Sequence, residues 1–142
     1  SGLLFTSVFV ISGLDYRFEW SNVPLALIII SDVLVLGGFL YVFRVFQENR
    51  YAARTIEVEE GQTVISSGPY AVVRHPMYLS VIPMYLFTPL ALGSYWALIP
   101  ALPLIATLIL RILNEEFVLL RDLPGYDDYR HKVRWRLIPG VW

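Results

Sequence analysis

Cysteine is absent from this chain and histidine occurs only twice. A disulfide framework and thiolate metal sites are thereby excluded, and a zinc centre lacks ligands. No Gly-x-Gly occurs anywhere, so a Rossmann-type cofactor loop is missing. Charge is scarce as well: 16% of positions are charged and the net charge is -1, which gives no global field for nucleic acid. No charged residue at all lies between Met77 and Leu110. What fills the space is apolar, at 56% of 142 residues, too much for an ordinary soluble domain and right for a chain that lives in a bilayer.

Spanning a membrane takes about 20 apolar residues. Leu3 to Leu14 is too short, has no basic flank or small-residue cleavage site, and reads as the tail of a spanning helix whose start lies outside the chain. Asp15 to Trp20 reads as an interfacial loop with aromatics at headgroup depth. Pro24 to Phe43 is the clearest span, with one charge, Asp32, and with Gly37-Gly38 suited to close helix packing. The uncharged run after Met77 is too long for one span and fits a helical hairpin broken near Pro89 and Gly93-Ser94, with Pro83, Pro100 and Pro103 as kinks. Arg44, Arg50, Arg54 and Arg74 fall in the first long polar segment and Arg111 to Arg136 in the last, which puts both in the cytoplasm. Within the first, Thr55 to Glu59 alternates like a short extended arm.

One polar stretch interrupts the apolar pattern: Ser67-Gly68-Pro69-Tyr70-Ala71-Val72-Val73-Arg74-His75-Pro76-Met77-Tyr78. The residue before a proline avoids the helical region and proline fits the first helical turn, so the chain is expected to be extended through His75 and helical from Pro76. Gly68-Pro69 makes a turn upstream. This gathers Arg74, His75 and the free amides of a helix start, a place suited to an anion, while Tyr70 and Tyr78 offer faces that attract a cation. Arg111 and Glu115 lie one helical turn apart on one face of the last apolar helix, as an ion pair that the hairpin returns toward the hinge. Read from spacing alone, Glu116 is a solvated neighbour of that pair.

Gly68-Pro69-Tyr70 and Arg74-His75-Pro76-Met77-Tyr78, followed by Arg111 and Glu115-Glu116, resemble the signature of the integral membrane methyltransferases, the isoprenylcysteine carboxyl methyltransferases and their phospholipid methyltransferase relatives. The resemblance runs from about Asn49 to Trp142 and includes Gly125-Tyr126, Tyr129 and Leu137-Ile138-Pro139-Gly140. It implies an all-α, polytopic transmembrane bundle, a single membrane methyltransferase domain over residues 1–142, with a cofactor site at its cytoplasmic face and a C-terminal segment at the interface. It also implies S-adenosylmethionine as methyl donor and a lipophilic acceptor drawn from the membrane.

Carried over by position, the resemblance places Gln62, Thr63, Val64, Ile65, Tyr70, His75, Pro76, Met77, Tyr78 and Glu115 at the cofactor, and Arg111 at the substrate. Arg74 and Arg111 are the catalytic candidates. The acceptor expected is a carboxylate of isoprenylcysteine type, with a phospholipid amine or a thiol as alternatives. A reading of another class is a non-enzymatic membrane subunit in which Asp32, Arg74 and Glu115 form a polar pathway.

Overall fold

The computed structural model describes residues 2–49, 51, 58 and 61–142. Among these there are five α-helices, one 3-10 turn and no strand. The helices are α1 (Gly2–Phe18), α2 (Leu25–Glu48), α3 (Pro76–Ala91), α4 (Leu98–Asp122) and α5 (Tyr126–Lys132), and the 3-10 turn covers Gly68–Ala71. The all-α expectation holds. The extended arm over Thr55 to Glu59 lies, apart from Val58, outside the described residues.

Helix boundaries follow the local signals. Pro24 precedes α2 and its carbonyl accepts the amides of Leu27 and Ile28, closing the first turn. Pro76 opens α3, as expected of a residue that needs no amide partner there. The hairpin break falls at residues 92–97, and Pro89 stays inside α3, so Gly93 with its positive φ carries the reversal and the proline does not. α4 ends at Asp122, just before Leu123-Pro124-Gly125, and Gly125 takes the left-handed conformation that starts α5.

Contacts divide the chain into two units, Ser1–Leu40 with Ser80–Ile109, and Tyr41–Leu79 with Leu110–Trp142. The first unit packs Val8 of α1 against Ala97, Ala101 and Leu104 of the α4 start, with Leu4, Ile11 and Tyr85 around them. Small residues let backbones approach: a Cβ on Gly38 would stand 2.4 Å from Met84 Cγ, which bears out the packing role expected of that glycine.

Asp15 corrects the loop expected at residues 15–20. It sits in α1, 1% exposed, and its carboxylate accepts the Ser21 amide at 2.7 Å, the Ser21 hydroxyl at 2.6 Å and the Ser94 hydroxyl. A buried carboxylate is tolerable only when its lone pairs are used in this way. It ties the end of α1 to the turn before α4. The aromatics expected at headgroup depth cluster here, Phe18 stacking on Trp20 and Trp20 meeting Trp96 edge-on.

Two helices, α2 and α4, are long and apolar enough to cross a membrane, while α3 is shorter. Few residues of α2 are fully buried: Leu25, Val33, Phe39, Leu40 and Phe43 are all exposed, as is Asp32. Such a face is stable in hydrocarbon and not in water.

The second unit holds the hinge. Its core is Leu123, Tyr126, Tyr129 and Val133, packed by Val58, Val64 and Leu119, so the loop before the hinge and α5 share one apolar cluster. Gly68 is positive in φ, and a Cβ there would meet the Glu48 carboxyl at 2.8 Å. The positive φ is what calls for glycine here, since the Glu48 side chain could swing aside, and the Ser67 hydroxyl bonds Glu48 beside it.

Candidate functional site

The helix starts at Pro76 as predicted, but the residues before it are not a continuous extended run: Val72 is in the right-handed helical region, and the amides of Val72 and Val73 both reach the Pro69 carbonyl. The backbone next to the proline is paired by the C-terminal segment. The Arg74 amide donates to the Trp135 carbonyl at 2.9 Å and the His75 amide to the Arg136 carbonyl at 3.0 Å. The segment is fastened at its own end, where the amides of Arg136, Leu137 and Ile138 all reach the Trp142 carbonyl.

At the centre lies Glu116. Its Oε1 accepts Arg74 Nε at 2.6 Å and faces His75 Nε2 at 3.3 Å, while Oε2 accepts Arg136 Nε at 2.7 Å. Arg74 uses its remaining fork on backbone, donating from one terminal nitrogen to the carbonyls of Val133 at 2.9 Å and Arg134 at 2.7 Å. This overturns the reading of Glu116 as a solvated neighbour: the residue is 6% exposed. The anion that the Arg74-His75 hinge gathers is a carboxylate of its own chain. Breaking such a buried pair by deleting one partner strands the other charge, so the network joins hinge, α4 and C-terminal segment as one piece.

Glu115, the preceding residue, has a different environment. The helix turns by about 100° per residue, so the Glu115 carboxylate meets different partners and, among the described residues, shares only His75 with Glu116. Its Oε1 accepts the Tyr78 hydroxyl and, at 3.1 Å, Arg111 Nε, and its Oε2 stands 3.8 Å from His75 Nδ1. The expected ion pair of Arg111 and Glu115 is present. The return of the α4 end to the hinge is present too, carried by the Tyr78 bond to Glu115 and the His75 contact with Glu116.

Above these residues opens a cleft with about 830 Å³ of space between atoms, open at its mouth. Gln62, Thr63, Val64, Ile65, Tyr70, His75, Met77, Tyr78 and Glu115 all line it, and so does Arg74. Pro76 does not; it is buried at the start of α3 and sets the helix. Arg111 is not a wall residue either, though its Nε donates to the wall residue Glu115 at 3.1 Å. Arg74 borders the cleft with a guanidinium already committed to Glu116 and two carbonyls.

Seven further wall residues escaped the sequence reading: Asn49, Tyr51, Val118, Leu119, Leu123, Tyr126 and Tyr129. Val118 and Leu119 follow Glu115 by three and four positions, so helical spacing alone would have put them on its face. Asn49 and Tyr51 carry no such signal. Tyr126 and Tyr129 share a face of α5, but nothing local says what that face covers.

The two phenols of α5 are unlike. Rings of Tyr126 and Tyr129 pack 5.7 Å apart, and both are buried. The Tyr129 hydroxyl donates to the Tyr70 carbonyl at 2.7 Å. The Tyr126 hydroxyl has no hydrogen-bond partner among the described residues. Burial pushes the phenols of Tyr126, Tyr129 and Tyr70 up from the ordinary tyrosine range. The negative charge of Glu116 adds to this at Tyr126, and that of Glu115 at Tyr70. The wall therefore carries neutral phenols, with Glu115, Arg74 and His75 forming its polar corner.

An aromatic wall with one carboxylate at its edge has the chemistry to hold an organic cation. The profile of the phospholipid methyltransferase family matches residues 26–122, which include the whole hinge, Arg111 and both glutamates. The chain belongs to the phospholipid methyltransferase family. Its coarse activity follows: methyl transfer by a membrane protein, within the wider group that also holds the isoprenylcysteine carboxyl methyltransferases. No curated protein matches the chain. The phospholipid methyltransferase match stops at Asp122, so α5 and the segment that pairs with the hinge lie beyond it.

Proposed function

We propose that the chain transfers a methyl group from S-adenosylmethionine to a lipophilic acceptor, in a site that opens on the cytoplasmic face of a multi-pass membrane protein. The observation that supports this best is the coincidence of two independent sets. Of the ten residues that the resemblance assigns to the cofactor, all but Pro76 border one cleft, and that cleft carries tyrosine rings beside a carboxylate. These residue types suit an adenosyl sulfonium: Tyr70 and Tyr78 offer ring faces to the cation, Glu115 offers charge, and Val64, Ile65 and Leu119 offer apolar walls.

When bound, the donor supplies a methyl group on a sulfonium whose positive charge is lost as the methyl leaves. The chain's task is then to hold, align and dry the site rather than to provide a nucleophile. Tyr78 and Arg111 fix the Glu115 carboxylate from two sides, so it is oriented before any ligand arrives. The Glu116 network fixes the hinge backbone, which makes Arg74 a positioning residue in this scheme. Arg111, outside the cleft wall but bonded to Glu115, is the residue assigned to the acceptor.

Within this activity the preferred acceptor is a carboxylate of isoprenylcysteine type, for which the planar fork of Arg111 is a suitable partner. The family match favours a second reading, a phospholipid amine. Calorimetry with S-adenosylhomocysteine on detergent-solubilised protein tests the donor, and one site is expected. Neither heat nor a thermal shift at millimolar ligand would leave a non-enzymatic subunit as the better reading. Incubating membranes with labelled donor and asking whether lipid, peptide or thiol gains the label separates the acceptors.

A further inference from the structure

A residue of the cleft wall carries a buried hydroxyl whose bonding is incomplete among the described residues. Tyr126 is 4% exposed, borders the cleft, and leaves its hydroxyl without a hydrogen-bond partner among the described residues. Native proteins rarely leave such a group, because the water it gave up is not replaced. Its neighbour shows that the fold can do otherwise, since the equally buried Tyr129 finds the Tyr70 carbonyl. Packing alone would be met by phenylalanine: Tyr126 already shares the apolar cluster of Leu123, Tyr129 and Val133. The hydroxyl therefore asks for a partner that the described residues do not provide.

We propose that Tyr126 is a ligand-binding residue whose hydroxyl donates a hydrogen bond to an acceptor atom of the bound methyl donor. This rests on the methyl-donor reading and goes beyond it, because Tyr126 lies past the matched residues and outside the positions that the resemblance assigns to the cofactor. The direction of the bond follows from the surroundings. The phenol stays neutral, and Arg74, which also borders the cleft, has its guanidinium spent on Glu116 and backbone. Tyr126 thus supplies a neutral donor beside the apolar wall residues Leu119 and Leu123. A buried donor that only the right ligand satisfies also discriminates, since an analogue lacking the acceptor leaves it unpaired again.

The decisive variant is Tyr126→Phe, which deletes one oxygen and keeps the ring. Two readouts should move differently. Without ligand, the variant should melt at the wild-type temperature or above it, because an unpaired buried hydroxyl is removed. Its Kd for S-adenosylhomocysteine by calorimetry should rise by roughly five- to tenfold. Replacing Tyr126 with 4-aminophenylalanine, which keeps a donor at the same place, should recover most of that affinity.

A Kd within about twofold of wild type in Tyr126→Phe overturns the proposal. So does a lower melting temperature without ligand, which would mean that the hydroxyl was serving the fold. Failure of the wild type itself to bind is a different result, since it removes the methyl-donor reading and this inference with it.

Discussion

Glu115 and Glu116 are adjacent in sequence, identical in chemistry and expected to fail in opposite ways. Glu116 has both oxygens occupied by guanidinium groups, from Arg74 at 2.6 Å and Arg136 at 2.7 Å, with His75 at 3.3 Å. Its side chain is 8% exposed and that of Arg74 is 6% exposed, so deleting the negative charge strands a buried cation beside a second one. Removing one partner from a buried pair costs about 3 to 5 kcal/mol, which for a chain of this size is roughly 10 to 15 °C in melting temperature. Glu116→Gln keeps the shape and still loses the charge, so most of that cost is expected with it too.

Glu115 is more exposed and its partner Arg111 more exposed again, at 18% and 33% of their side chains. Screening limits what such a pair contributes to the fold, and Glu115→Gln should lower stability by about 1 kcal/mol or less. It should cost donor binding about 1.5 to 3 kcal/mol, tenfold or more in Kd, through the loss of a charge-assisted contact. The assay is paired: thermal unfolding of the ligand-free variants in detergent, and calorimetry with S-adenosylhomocysteine at a temperature where both are folded. A Glu116→Gln protein that melts within a few degrees of wild type yet binds no donor would refute the argument. It would make Glu116 the ligand carboxylate and Glu115 the structural one.

Arg111→Lys keeps the charge and loses the fork, so donor affinity should change by less than about threefold while acceptor KM or kcat suffers; equal damage to donor binding in Arg111→Lys and Glu115→Gln would show that the pair acts as one unit of the donor site. Tyr129→Phe should destabilise the ligand-free protein by about 1 to 2 kcal/mol, because the buried Tyr70 carbonyl loses its donor; an unchanged melting temperature would mean that this bond contributes nothing. Alkaline pH gives a further check, since Tyr70, Tyr126 and Tyr129 have phenol pKa values raised by burial above the unfolded value of about 10. Their contribution is complete below that pH and is lost as pH rises past it, when only the unfolded chain ionises readily. Melting temperature should be flat from pH 8 to about 9.5 and fall beyond it, and the fall should be smaller in Tyr129→Phe, which has one fewer such phenol.

The sequence by itself determined the elements and the motif. Apolar length and proline placement put helices at α2, α3 and α4, because backbone preference and hydrophobic run length are local quantities. The same locality made the helix start legible: a residue before proline avoids the helical region and proline fits the first turn, so the helix begins at Pro76. The pairing of Arg111 with Glu115 followed from helical spacing alone.

Only the tertiary structure decided which charges were buried. Nothing near Asp15 in the chain announces Ser94, whose hydroxyl completes its carboxylate from 79 positions away, so α1 runs through a stretch that composition marks as loop. Nor does anything near Glu116 announce Arg136, and a glutamate at the end of an apolar helix looks solvated until a distant segment covers it. Tyr126 and Tyr129 have the same side chain three positions apart, yet one hydroxyl finds a carbonyl and the other finds no partner among the described residues. Hydrogen bonds between side chains depend on where separate elements come to rest against each other, and that information is held in packing rather than in any stretch of sequence.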